Sequence, residues 1–161
     1  MFLSLRTATR ALIFTVAAVT IISLSAQAVD PLAGTWELNL AKSKYSPGPP
    51  PQSETRTYEV TGQQVKMTAD RINDKGETVV YTFTANHDGK DYPYTGHPLH
   101  DTISLTPVDD FTVNFTHKKA GKISGTGTRV MSKDGKTMTI SFNGTNPKGE
   151  PIEVIFVFDK R

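Results

Sequence analysis

The chemistry available to this chain rests on four histidines and two arginines that period-two reading places on an apolar face. His97-Pro98-Leu99-His100-Asp101 puts two imidazoles and a carboxylate within five residues, and His87-Asp88 and His117 stand elsewhere. Nitrogen and oxygen donors of this kind suit a metal such as zinc. A His/Asp pair also suits acid–base work, which makes a small hydrolase or isomerase using His100, Asp101 or His87 one reading. The spacing matches no recurrent zinc pattern and Pro98 restricts the loop, so solvent-facing loop histidines without a metal are the expectation. No cysteine is present, which removes thiol nucleophiles, disulfides and cysteine-held metals. Ser104 and Ser124 lack a Gly-x-Ser-x-Gly frame. Gly125 and Gly127 lack the third glycine and the following helix of a phosphate cradle and read as relief where a strand bends, so no cofactor is expected.

The elements that must position these residues are strands. Beyond position 28 the chain holds 18 threonines against five alanines, five leucines and six glutamates, a composition poor in helix formers. Apolar residues alternate at Val65, Met67, Ala69; at Val79, Tyr81, Phe83, Ala85; at Ile103, Leu105; at Phe111, Val113, Phe115; at Met138, Ile140, Phe142; and at Ile152, Val154, Phe156, Phe158. Polar residues fill the gaps, the mark of antiparallel strands with one wet face. Turn formers such as Asn73-Asp74-Lys75-Gly76 and Lys133-Asp134-Gly135-Lys136 separate them.

Ten strands result, near 34–40, 53–61, 64–72, 77–85, 91–95, 101–107, 110–118, 122–132, 136–143 and 151–159. Links after the first are short, so the order is an up-and-down meander. A meander this long hides its edges by closing into a small β-barrel, or by folding into a β-sandwich. Between the first two strands, Ala41 to Gln52 carries Pro47, Pro49, Pro50 and Pro51 and reads as an extended strap over one end.

Residues 1–28 read as a secretory signal. Arg6 and Arg10 precede an apolar run of about 14 residues, short of the roughly 20 needed to span a bilayer, and Ala26-Gln27-Ala28 offers a cleavage site. The expected product is a periplasmic or secreted single domain over 29–161 without stable membrane insertion. Losing Arg6 and Arg10 takes 18 basic residues to 16, against 16 acidic ones, so no basic surface for nucleic acid remains.

Gly34-Thr35-Trp36 at the head of the first strand resembles the Gly-x-Trp signature of the lipocalins and the related ten-stranded fatty-acid-binding barrels. The wider run Gly34 to Asn39, with Lys42-Ser43-Lys44 and Ser46-Pro47-Gly48-Pro49, is similar to small exported bacterial lipocalin-like proteins. The resemblance implies a calycin-type barrel whose end is plugged by Trp36, with Gly34 giving close entry, and Arg129 as the candidate arginine that stacks on that tryptophan. It also implies a non-enzymatic carrier of a small apolar or amphipathic ligand. A protein-interaction barrel packed solid is the other reading.

Register adds candidates for a carrier. Val65, Met67, Ala69 and Arg71 share one face, as do Ile123, Gly125, Gly127, Arg129 and Met131. An arginine inside an apolar cavity calls for an anion, and a carboxylate fits its fork. The ligand site expected on this basis is Arg71 or Arg129 for the head of an amphipathic acid, with Tyr81, Phe83, Phe115, Phe142 and Phe156 along its tail.

Overall fold

The structure, a computed structural model, describes residues 30–146 and 148–161. The expected signal segment, 1–28, lies outside the described residues. The strands are β1 (Gly34–Leu38), β2 (Lys44–Ser46), β3 (Ser53–Thr61), β4 (Gln64–Ile72), β5 (Thr78–Asn86), β6 (Tyr92–Thr95), β7 (Thr102–Pro107), β8 (Thr112–Lys119), β9 (Lys122–Met131), β10 (Thr137–Thr145) and β11 (Pro151–Lys160). From β3 to β11 each strand pairs antiparallel with the next, and β1 bridges the two ends by pairing with both β3 and β11. Ten strands therefore close into the expected barrel, and the sandwich alternative is not what forms. Closure leaves the barrel strands no free edge, the liability that a meander otherwise carries.

The strap differs from expectation. A single 3-10 turn over Leu40–Lys42, capped by the Asn39 side chain, is followed by β2, which pairs with β11 at Val154↔Tyr45. Ser43 Oγ accepts the Val157 N–H at 3.0 Å and bridges the break in the ladder. The prolines begin only at Pro47, so nothing removes a donor from Lys44–Ser46, and the extended connection is confined to the residues after them.

At the closed end Trp36 is fully buried, and its Nε1 donates to the Leu32 carbonyl at 2.9 Å. The cation over its ring is Lys160, 5.2 Å from the centroid, whereas Arg129 lies over Tyr58. The arginine-on-tryptophan role implied for Arg129 is thus filled by a lysine from the last strand, which pairs directly with Trp36.

Two expected faces shift. Opposite His117 and Lys118, β9 carries one extra residue: Gly125 pairs with His117 and Ile123 with Lys118, leaving Ser124 between them. This bulge reverses the alternation, so Ser124 is half-buried and Ile123 is 66% exposed rather than inside. Phe111, expected to share the inner face of β8, lies in the turn before that strand and is partly exposed.

β6 is short and shares two residue pairs with each neighbour. The chain then turns at Gly96 (φ +83°) and carries His97 to His100 into the mouth of the barrel. A Cβ on Gly96 would sit 2.2 Å from the Val80 carbonyl oxygen. Gly96→Ala therefore meets both a left-handed backbone and a backbone clash, and urea denaturation should show a loss of roughly 1–3 kcal/mol. A stability equal to wild type would mean that this turn does not hold the loop against β5.

Candidate functional site

Inside the barrel the ladder of β8, β9, β10 and β11 stacks inward residues in rows. Val113, Arg129, Ile140 and Phe156 form one row; Phe115, Gly127, Phe142 and Val154 the next; His117, Gly125, Gly144 and Ile152 the third. These rows bound a cavity of about 110 Å³. Its remaining walls include Tyr45, Arg56, Tyr58, Arg71, Phe83, Tyr94, His97 and His100. Of the residues expected at a ligand, Arg71, Phe83, Phe115, Arg129, Phe142 and Phe156 line it. Tyr81 does not: fully buried, it packs edge-on against Tyr94 and His97 and lies 5.4 Å from the Arg71 guanidinium. Gly34 and Trp36 stay at the closed end.

The charges in this interior are unequal. Glu54 is fully buried and bridges two arginines, taking Arg56 Nε on Oε1 at 2.5 Å and Arg71 Nε on Oε2 at 2.6 Å. Burial pushes the Glu54 carboxyl up, but the two guanidinium groups outweigh it and hold the group below its ordinary value. Arg129, 6% exposed, has no carboxylate within ion-pairing distance among the described residues. Its Nη2 reaches His87 Nε2 at 3.2 Å and its guanidinium lies 5.5 Å from the Tyr58 ring centre. Burial lowers its pKa, which for arginine still leaves the cation. Three cations and one anion leave an excess of two positive charges.

Glu54 and Arg56 escaped the sequence reading because alternating charged residues look like a wet face. The signal was present, since period two puts both on the side of Tyr58 and Val60.

Three of the four histidines meet at the mouth. The rings of His97 and His100 stack with centroids 4.3 Å apart, and His117 lies 4.2 Å from His100. His97 Nδ1 accepts the Leu99 N–H at 3.2 Å, and His100 Nδ1 shares a hydrogen bond with Ser124 Oγ at 2.8 Å. His117 Nδ1 is buried and has no partner among the described residues. Burial, reinforced by mutual repulsion, pushes His97 down to about 2 and His117 well below its ordinary value. Burial likewise takes His100 to about 4. The cluster is neutral at physiological pH and is not the solvent-facing set expected.

Asp101 is not part of it. Its Oδ2 accepts the Ala120 N–H at 2.8 Å, so the His100–Asp101 pair considered for acid–base work is not assembled. His100 faces Ser124 instead, and an imidazole held near 4 is a weak base for a hydroxyl at neutral pH. Among the described residues no three His, Asp or Glu groups are placed to hold a metal ion.

No protein-family model matches the chain, and no curated protein matches it. Among solved structures, a zebrafish ileal bile acid-binding protein complexed with cholic acid is similar with a TM-score of 0.47 at 10% identity, covering 81% of this chain and 99% of that one. A siderocalin, Ex-FABP, described as working through dual ligand specificities, gives a TM-score of 0.39 at 10% identity, covering 81% of this chain and 74% of that one.

Two outcomes follow from these charges. Glu54→Gln would leave Arg56 and Arg71, both largely buried, without a counter-charge and should cost about 3–5 kcal/mol in denaturant unfolding; a loss under about 1 kcal/mol would show that solvent reaches the pair. The histidines set a pH dependence. Their folded pKa values lie below the ordinary 6.5, so the unfolded chain takes up protons first as pH falls. Thermal stability should be level above pH 6.5 and decline from there to about 2, with Glu54 adding its own loss below 4.5. His97→Phe should shallow that slope, and a level profile between pH 6.5 and 5 would contradict the buried neutral cluster.

Proposed function

We propose that this protein is an exported, non-enzymatic binding protein for a small amphipathic anion. The observation that carries this reading is Arg129, a buried cation on the cavity wall with no carboxylate within ion-pairing distance among the described residues, in an interior whose acid Glu54 is already shared by two arginines. A charge kept out of water at this cost is compensated by a counter-ion that arrives with the ligand. The apolar walls around it, from Val113, Ile140 and Phe156, accept the rest of the molecule. A solid interaction module would have filled this space with side chains. Export rests on the features of residues 1–28.

The test is native mass spectrometry of the protein taken from the exported fraction, followed by denaturing extraction. The expected chain begins at Val29 and carries one small acid that leaves on denaturation. Arg129→Met should weaken retention of that acid roughly ten- to a hundredfold, the worth of one charge-assisted hydrogen bond. A chain that keeps residues 1–28 overturns the export reading. An acid retained equally by Arg129→Met overturns the role of Arg129.

A further inference from the structure

The wall beside Arg129 is bared of side chains at three glycines. A Cβ built on Gly127 would stand 2.3 Å from Phe115 Cζ. On Gly125 and Gly144 it would stand 2.3 and 2.5 Å from Phe142 Cζ. Both phenyl rings therefore lie down on bare sheet backbone, in space that any other residue would occupy. The two planes differ by 4° and their centres are 6.3 Å apart. Coming from β8 and β10 on either side of β9, they present two parallel aromatic rings to the cavity.

Arg129 stands at one end of this wall, two residues along β9 from Gly127 in the adjacent row. His117 stands at the other end, where its buried Nδ1 lacks a partner among the described residues. The room between is small: about 110 Å³, on the scale of an engineered apolar cavity of roughly 150 Å³ that takes up one benzene. A flexible acyl chain gains nothing special from two parallel rings. An aromatic ring gains offset or edge contacts worth more than its area alone.

We infer that the ligand is a small planar aromatic acid, its ring against Phe115 and Phe142, its carboxylate on Arg129, and a hydrogen-bonding substituent opposite the carboxylate at His117. The inference rests on the anion-binding reading above and narrows it from amphipathic acids in general to this class.

The experiment is an NMR titration of the mature protein with 4-hydroxybenzoate, its saturated counterpart 4-hydroxycyclohexanecarboxylate, and octanoate. The aromatic acid should bind at least about tenfold tighter than either of the others. Phe115→Leu and Phe142→Leu should each reduce that ratio toward one with an unchanged circular dichroism spectrum. Should a variant fail to fold, the wild-type ratio decides. Equal or tighter binding of the saturated acid or of octanoate overturns the planar-ligand inference and leaves an anion carrier standing. Binding of none of the three overturns the carrier reading and this inference with it.

Discussion

The ladder between β1 and β11 is the interaction on which the rest depends. It joins Trp36 to Lys160 and Leu38 to Phe158, and with it the last free edge of the meander disappears. Once the sheet is a tube, period two gives every strand residue one of two addresses, inside or outside. Whatever stands on the inner parity must then be accommodated, whether it packs well or not. That constraint explains why Glu54 and Arg129 are buried, and Arg56 and Arg71 largely so, in so small a protein. They share faces with Tyr58, Ala69 and Met131, and the apolar members of each face carry the charged ones inward.

Accommodation is reached in different ways for different charges. Arg56 and Arg71 share Glu54 and also lie against aromatic rings, Phe158 at 4.8 Å and Phe156 at 5.3 Å. Arg129 has the Tyr58 side chain, the His87 lone pair and the more distant field of the Asp30 carboxylate, with no ion pair among the described residues. Guanidinium tolerates such surroundings better than an ammonium would, because it is more weakly hydrated and stacks on π faces. The neutral histidines are the complementary case: burial strips their charge, so they line the mouth as aromatic, hydrogen-bonding surfaces.

Much of the fold was legible. Val65, Met67 and Ala69, Phe83 and Ala85, and Ile152 to Phe158 alternate cleanly, and all of these inner residues are buried. The errors share a cause, which is that parity is a local reading while bulges and turns are set by partners. Alternation places Ile123 inside because nothing in Lys122 to Met131 announces an extra residue; only the pairing with β8 does. Alternation places Phe111 in β8, but the strand starts one residue later, after Asp109 Oδ1 has taken the Phe111 N–H at 2.8 Å into a turn. Of the candidate site, Arg71 and Arg129 were legible from register. The histidine cluster was not, because His97 and His100 come from a loop, and no periodicity says whether a loop folds inward. Gly125 and Gly127 were visible as oddities, but the rings that lie on them come from neighbouring strands.

The extra residue in β9 has a consequence of its own. A strand in a closed tube behaves like a binary code read from one end, and the bulge at Ser124 inverts the code for everything between it and the hairpin. Gly125, Gly127 and Arg129 keep their address; Ile123 changes its own. The hairpin that links β8 to β9 is thereby insulated from the wall below it, and its length is coupled to what faces His100. Losing Ser124 would restore unbroken alternation with Ile123 still opposite Lys118 on the outer face, and the His100 imidazole would lose its hydroxyl. The irregularity is thus what allows an otherwise monotonous strand to offer a polar partner at one level and empty space at the next.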